Sequence, residues 1–167
     1  KEKKGYGGDP VFARSRFKSV AQTLKEVPVV SAALGPVAGL PASRFVGSHF
    51  RIMVKDNAQI LVAGPAVVSR AFGKDFTKEE LGGSDVHKKN GVTDNIADSE
   101  EDAFNQIKKF LSFFPANIYE LPPKKDSKDE IDRSEKILEE IIPKDRKKTY
   151  EMREIINLVV DDKDFFE

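Results

Sequence analysis

Residues 28–41, PVVSAALGPVAGLP, decide the fold of this chain. The first part, residues 28–34, is short, partly β-branched and opened by proline, so we predict a buried strand there. A Gly/Pro turn follows, and a helix is expected to begin near Leu40. A glycine turn between a strand and a helix directs backbone N–H groups outward at the positive end of the helix, where an oxyanion or a phosphate can be held.

Gly39 and Leu40 are the candidate N–H donors of this turn, whereas the next residue, Pro41, has no N–H to donate. Backbone N–H groups aimed at a developing oxyanion are a common means of stabilising a reacting carbonyl. The alternative is a structural turn that only joins a strand to a helix. The spacing of the residues leaves both interpretations open.

Two more strands are predicted on the C-terminal side of this turn. They cover residues 49–54 and 58–63, and the short Asp-Asn turn between them suggests a tight hairpin. Residues 82–95 are rich in glycine and polar residues, and we predict a loop there. The strands are thus confined to residues 28–63 of an α/β fold, with helices thereafter.

Helices are indicated by apolar spacing and by capping signals. Thr77 with Glu80 forms a capping box, and Asp98 with Glu101 repeats the signal. Pro65 suits the first position of a helix. Helices are expected over residues 11–25, 65–73, 77–83, 98–114, 132–142 and 149–160.

Composition excludes several classes of function. The chain has 167 residues with 28 Lys plus Arg and 28 Asp plus Glu, and this charge balance gives no electrostatic case for nucleic acid or an anionic membrane. It has no cysteine, and no apolar run approaches the ~20 residues of a membrane span. His49 is predicted to be a packed or capping residue and His87 a solvated loop residue, so no metal site is expected. Motifs of a nucleophile elbow, a phosphate loop or a dinucleotide fold are absent.

Three pieces of sequence, in order, resemble a known family. They are the turn GPVAGLPA at residues 35–42, a strand pair that ends in AGP at residues 63–65, and ELGGSDVH at residues 80–87 followed by Gly91-Val92. This ordered set is similar to the carboxyltransferase (β) subunit of biotin-dependent acyl-CoA carboxylases, such as propionyl-CoA and methylcrotonyl-CoA carboxylases. The resemblance extends from about residue 11 to the end of the chain.

The resemblance implies a crotonase-like ββα-spiral, present as a partial domain. Residues 1–10 are expected to be a mobile leader, and residues 11–120 the later part of the N-terminal crotonase-like domain. Residues 121–133 would be a charged linker. Residues 134–167 would be a helical segment that leads toward a C-terminal domain, which this sequence does not include.

The family's reaction implies a carboxyltransferase that passes a carboxyl group from carboxybiotin to the α-carbon of an acyl-CoA. The enolate oxygen is held by backbone N–H groups at a Gly-Gly step, which corresponds here to Gly39 and Leu40. Biotin is attached to a partner subunit in this family. The acyl-CoA-binding residues implied are Gly35, Ala38, Gly39, Leu40, Ala63 and Gly64.

The implied partners are biotin carboxylase and biotin carboxyl carrier subunits, with further copies of the full-length subunit in a homo-oligomer. The bacterial cytoplasm is the expected compartment, and the mitochondrial matrix is the alternative if a transit peptide has been removed. A fragment of such a subunit is expected to be inactive by itself. Two departures from the family pattern bear on the substrate: Leu40 replaces the second glycine, and Asn90 takes the place of a frequent serine.

Two alternatives stay open at this stage. One is the carboxyltransferase subunit of a biotin-dependent decarboxylase of the glutaconyl-CoA type, which runs the transfer toward biotin. The other is a non-catalytic assembly module, in which the apolar stripe of the predicted helix at residues 149–160 serves as an interface. The sequence does not select between them, because the direction of transfer depends on partner subunits.

Overall fold

The computed structural model describes residues 16–167, without the side chain of Arg16. The predicted leader, residues 1–10, and the predicted start of the first helix at Val11 lie outside the described residues. The chain divides into two compact units, with the boundary between Pro122 and Pro123. No helix of the described chain is long and apolar enough to cross a membrane.

The first unit alternates strands and helices. Its elements are α1 (Arg16–Glu26), β1 (Val30–Ala33), β2 (Pro36–Ala38), α2 (Leu40–Val46), β3 (Phe50–Val54), β4 (Gln59–Leu61), α3 (Pro65–Phe72), α4 (Lys78–Gly82), α5 (Ser84–Asn90), β5 (Asn95–Ala97) and α6 (Glu100–Leu111). The predicted strand at residues 28–34 and the predicted helix after Gly39 are confirmed as β1 and α2.

The strands form two parallel sheets, in the orders β1-β3-β5 and β2-β4. Two successive turns of chain, β1-β2-α2 and β3-β4-α3, each give one strand to each sheet and then a helix. This repeat is the ββα-spiral that the family resemblance implied. The prediction of a plain Gly/Pro turn after the first strand is wrong in part, because Pro36–Ala38 form β2. The predicted hairpin between β3 and β4 is wrong, because both edges of β3 are already paired in parallel, with β1 and with β5.

The segment predicted as a loop, residues 82–95, contains α5 and leads directly into β5. Only Ser84 and His87 are buried on α5, so its inner face is polar and gives no apolar period. Gly91, at φ +74°, ends this helix in the left-handed conformation. The expectation that strands stop at residue 63 is therefore wrong, since β5 completes the larger sheet.

The core of the first unit lies among β1, α2, β3 and β4. It is a cluster of small and medium apolar side chains: Ala33, Ala42, Phe45, Met53, Ala58 and Ile60. On β3, the Phe50 ring stacks on Phe110 of α6 with 4.6 Å between centroids. This contact attaches the last helix of the unit to its central strand.

A bidentate ion pair joins β3 to the start of β5. Arg51 donates from Nε and Nη2 to the Asp94 carboxylate, at 2.9 and 2.6 Å, and its backbone N–H donates to the same carboxylate at 2.8 Å. The hydrogen bonds to Asp94 raise the pKa of Arg51 above its ordinary value. The pair thus fixes the direction in which the chain enters β5.

The helix caps are partly as predicted. Thr77 and Glu80 form the expected capping box at α4. At α6 the prediction of Asp98 as the cap is wrong, because the Ser99 hydroxyl accepts the Asp102 N–H at 3.1 Å. The Asp102 carboxylate in turn accepts the Asp98 N–H at 3.0 Å. The helix cap therefore lies one residue later than predicted.

The second unit, residues 123–167, has little regular structure. It contains a 3₁₀ helix (Lys136–Glu139), α7 (Met152–Val159) and a further 3₁₀ turn (Asp161–Lys163). The helix predicted over residues 132–142 is wrong apart from that 3₁₀ segment, and Pro143 disfavours helical backbone at the residue before it. The helix predicted over residues 149–160 is confirmed as α7.

Arg133 holds the end of α7. Its Nη2 donates to the carbonyl oxygens of Leu158 and Val159 at 3.0 and 3.2 Å, and its Nη1 pairs with Asp129. A cation at the C-terminus of a helix satisfies carbonyls that have no partner within the helix, and it also complements the helix dipole. Arg133 therefore joins the end of α7 to Asp129 within the second unit.

We predict that Gly82→Ala destabilises the first unit. A Cβ at Gly82 would overlap the Ile60 carbonyl oxygen and lie 2.8 Å from Cδ2 of Leu61, so α4 would have to move away from β4. The expected loss is about 1–3 kcal/mol in the free energy of unfolding, measured by urea denaturation. Gly35→Ala is the control, because a Cβ there meets no atom within 4 Å. An equal loss in both variants would contradict the packing argument.

We also predict that Thr77→Val raises the pKa of Glu80. The Thr77 backbone N–H and its hydroxyl both donate to the Glu80 carboxylate, and they lower its pKa below the ordinary 4.5. A lowered carboxylate pKa contributes stability above the unfolded value, and this contribution is lost as the pH falls through the folded value. NMR titration of the Glu80 side chain should show the rise in Thr77→Val. Thr23→Val, which affects a hydroxyl on α1, should leave the titration unchanged.

Candidate functional site

Most of the predicted site residues meet where β2 and β4 end. The two strands are parallel and in register from Pro36↔Gln59 to Ala38↔Leu61, so their carboxyl ends lie side by side. Gly39 and Leu40 follow β2, and residues 62–64 follow β4. Ligands of parallel α/β sheets commonly bind outside the carboxyl ends of strands.

The predicted residues are not all in this place. Ala38 is the last residue of β2, and Gly39, Leu40, Ala63 and Gly64 lie beyond the strand ends. Gly35 precedes β2 and therefore lies at the opposite end of that strand, about 10 Å of extended chain away. The structure brings five of the six predicted residues to one edge and leaves Gly35 outside it.

Gly39 makes the turn from β2 to α2. Its φ of +68° with ψ of −133° is a conformation that L side chains rarely adopt, and a glycine accepts it without strain. Its N–H donates to the Leu61 carbonyl oxygen at 3.3 Å, which extends the β2-β4 pairing by one bond. The Gly39 N–H is thus held, through a long hydrogen bond, by the strand pair itself.

Leu40 is the first residue of α2, so its backbone N–H is the first donor of the helix. An N–H at the first helical position has no partner within the helix, and no side chain caps α2. Pro41 at the second position has no N–H. Of the two predicted donors, Leu40 is therefore the one that the local geometry leaves available.

Three exposed apolar side chains belong to the segments that follow β2 and β4, and together they are called the apolar rim. Val62, directly after β4, is 98% exposed, Val67 on α3 is 64% exposed and Leu40 at the start of α2 is 40% exposed. Gly64 between Val62 and Val67 has extended backbone and no side chain, and it precedes Pro65 at the start of α3. A donor surrounded by exposed apolar side chains suits a thioester, whose carbonyl oxygen accepts a hydrogen bond while the rest of the group is apolar.

His87 lies behind β4, and the prediction that it is solvated is wrong. It is only 8% exposed, and its Nε2 lies 2.7 Å from the Ile60 carbonyl oxygen. A carbonyl can only accept, so Nε2 has the proton, and in the neutral ring Nδ1 is then an acceptor. Asn90 Nδ2 donates to that Nδ1 at 3.2 Å, and Asn90 Oδ1 accepts the Val92 N–H at 3.1 Å.

His49 is distant from this network and agrees with its predicted capping role. Its Nδ1 accepts the Val29 N–H at 3.0 Å, and its own N–H donates to the Val29 carbonyl at 2.9 Å. The ring therefore supplies a partner to the backbone at the start of β1. In residues 16–167 no group of three or more His, Asp or Glu side chains could hold a metal ion.

The sequence did not reveal that Gly82 and His87 both lie against the Ile60 carbonyl, one from α4 and one from α5. Both residues belong to the stretch ELGGSDVH, which resembles the family, but its polar residues indicated only a loop. The presence of Gly82 and His87 in that motif was the available signal.

Comparison with known proteins gives consistent relatives. The propionyl-CoA carboxylase carboxyltransferase subunit of Haloferax mediterranei is 36% identical over 151 residues, which cover 90% of this chain and 29% of that protein. The mitochondrial propionyl-CoA carboxylase beta chain of Mus musculus is 32% identical over 142 residues. The methylmalonyl-CoA decarboxylase subunit alpha of Veillonella parvula is also 32% identical over 142 residues.

A solved structure of transcarboxylase 12S, with hydrolysed methylmalonyl-coenzyme A bound, has the same fold with a TM-score of 0.82 and 31% identity. It covers 89% of this chain, and the match covers 29% of that chain. The chain therefore spans less than a third of the length of these relatives. The predicted α/β, crotonase-like fold is confirmed by this likeness.

The family model for the carboxyl transferase domain matches residues 12–167. The sequence motifs, the ββα repeat and the relatives agree with this match. The chain belongs to the carboxyl transferase domain family of biotin-dependent acyl-CoA carboxylases and transcarboxylases.

Proposed function

We propose that this chain provides the acyl-CoA site of a carboxyltransferase subunit. The observation that supports the proposal is the Leu40 N–H at the start of α2, beside the exposed apolar rim at the ends of β2 and β4. In this site the thioester oxygen accepts a hydrogen bond from the Leu40 N–H. Ala63 and Gly64 form the backbone wall on the other side, and Gly35 is left out of the contact surface.

The Leu40 N–H stabilises negative charge on the thioester oxygen as the α-carbon loses its proton. The positive end of α2 adds to this effect, because the helix dipole favours negative charge beside the first residue of the helix. Gly39 fixes the direction of the N–H, since its backbone angles determine where α2 begins. The chain's contribution to the reaction is therefore electrostatic and positional.

Biotin would be held by a carrier subunit and not by this chain. When bound, carboxybiotin would supply the carboxyl group that the α-carbon accepts, and its nitrogen would take up the α-proton. The described residues of this chain orient the thioester and polarise its carbonyl. Biotin carboxylase and carrier subunits are the proposed partners, with further copies of the subunit in a homo-oligomer.

Leu40 is also proposed to affect the choice of acyl group. The family pattern has a glycine at this step, whereas Leu40 places a side chain of which 40% is exposed at the edge of the rim. Such a side chain reduces the space beside the thioester and gives additional apolar contact. The site is thus proposed to differ from the glycine pattern in acyl preference.

The second candidate is transfer in the opposite direction, from a carboxylated acyl-CoA to biotin. It is favoured by the relative named methylmalonyl-CoA decarboxylase subunit alpha, which is 32% identical to this chain. The two directions share one enolate and one oxyanion site. One assay follows labelled carboxyl from bicarbonate, with ATP, biotin carboxylase and the biotinylated carrier, and the other follows it from a carboxyl-labelled carboxyacyl-CoA to the biotinylated carrier. The direction is identified by the reaction that is sustained.

We predict that Leu40→Pro and Leu40→Ala differ in activity. Proline is tolerated at the first helical position and removes both the backbone N–H and the leucine side chain, whereas alanine retains the N–H and removes only the side chain. The difference between the two variants therefore reports on the N–H. Turnover of propionyl-CoA with the biotinylated partner should fall about 10²–10³-fold in Leu40→Pro, as expected for loss of one oxyanion donor. Leu40→Ala should retain turnover and change the relative rates with acyl groups of different length.

Equal turnover in wild type and Leu40→Pro would contradict the role of this N–H. Binding of the CoA thioester, measured by calorimetry, should change little in both variants, because the hydrogen bond is strongest in the transition state. A complete subunit that neither binds the thioester nor sustains carboxyl transfer in either direction would instead support the non-catalytic assembly module.

We also predict that Gly39→Ala lowers turnover. Alanine at φ +68° and ψ −133° is strained, so the chain should relax by moving the start of α2 and with it the Leu40 N–H. Gly73→Ala is the matched control, since Gly73 also has positive φ, at +66°, and open space around a Cβ, but it lies at the end of α3. Carboxyl transfer should slow only for Gly39→Ala, and equal turnover by both variants would remove Gly39 from the site.

A further inference from the structure

Strand β4 accepts hydrogen bonds at both of its edges, and the donor at one edge is the His87 side chain. Successive carbonyls of a strand point to opposite edges of the sheet. The Ile60 carbonyl accepts from His87 Nε2 at 2.7 Å, on the side of α5. The next carbonyl, that of Leu61, accepts the Gly39 N–H at 3.3 Å, on the side of β2.

We propose that His87 is a positioning residue for the Gly39-Leu40 turn. It holds the Ile60 carbonyl, which fixes the position of the adjacent Leu61 carbonyl and thereby the bond that Leu61 makes to the Gly39 N–H. This inference rests on the proposed function of Leu40 as the oxyanion donor. His87 does not contact the site, and it acts through β4.

Three observations support a specific role for the hydrogen bond from His87 to the Ile60 carbonyl. Asn90 donates to Nδ1, so the tautomer with the proton on Nε2 is the one that satisfies both ring nitrogens. Gly82 packs so closely on the Ile60 carbonyl that a Cβ would overlap it, so the strand cannot move toward α4. His87 is buried, which excludes water as a ready replacement for the donor.

The hydrogen bond from the Gly39 N–H to the Leu61 carbonyl oxygen is weak. Its length of 3.3 Å is slightly beyond the usual range, and β2 and β4 are each three residues long. A short strand pair has few backbone bonds to resist a shift of one strand. The bond from His87 therefore restricts a motion that the β2-β4 pair restricts poorly by itself.

Three substitutions at residue 87 separate the hydrogen bond from the volume of the ring. His87→Phe retains a ring but removes the donor. His87→Gln replaces Nε2 with an amide nitrogen of similar reach, and His87→Ala removes both. Asp94→Ala is the matched control, because it breaks the ion pair with Arg51 in the other sheet.

The primary measurement is hydrogen–deuterium exchange of the peptide that contains residues 36–40, compared at equal global stability set by urea. We expect faster exchange in His87→Phe and His87→Ala, near wild-type exchange in His87→Gln, and no change in Asp94→Ala. Unchanged exchange in His87→Phe, or an equal increase in Asp94→Ala, would overturn the positioning role. If His87→Ala does not fold, the Phe and Gln variants decide the question.

Steady-state kinetics provides the second measurement. A displaced donor weakens transition-state stabilisation more than ground-state binding, so His87→Phe should lower kcat for carboxyl transfer about tenfold or more with little change in KM. His87→Gln should restore kcat. The kinetics are measured on the complete subunit that contains these residues, with its biotin-carrying partner. If that wild-type subunit has no transfer activity, the proposed function fails, while the exchange experiment still tests the path from His87 to Gly39. Loss of kcat without faster exchange would overturn the inference.

Discussion

The pairing of β2 with β4 is the interaction on which the candidate site depends. It places the end of one strand beside the end of the other, and so it brings Gly39-Leu40 and Ala63-Gly64 to one edge. The pairing is short, because each strand has three residues. Elements outside the sheet must therefore hold β4, and α4 and α5 do so through the fit of Gly82 and the donor of His87.

Buried polar side chains contribute to the packing of the first unit together with the apolar core. Gln59, Ser84, His87 and Thr93 are all buried, and no buried side-chain polar atom of the described residues lacks a hydrogen-bond partner. A buried hydrogen bond has a fixed direction, whereas apolar contact has none. This arrangement costs desolvation, and in return it fixes the register and orientation of the strand beside the site.

The candidate site combines a backbone donor with exposed apolar side chains. Leu40 offers a backbone N–H at the start of α2, whereas the Gly39 N–H is already bonded to the Leu61 carbonyl oxygen. The relatives are more than three times as long as the part that this chain matches. Val62, directly after β4, is almost fully exposed.

The sequence by itself determined the family, and through the family resemblance the ββα order. It also located the glycine turn, because glycine and proline restrict the backbone locally, whatever the rest of the chain does. It did not determine that β3 and β4 enter different sheets, since parallel pairing joins residues distant in the chain. It also could not place α5, whose buried face is Ser84 and His87 and so lacks an apolar period. Only the tertiary structure decided that Gly39 donates to Leu61 and that His87 reaches Ile60, because both bonds require strands and helices already packed together.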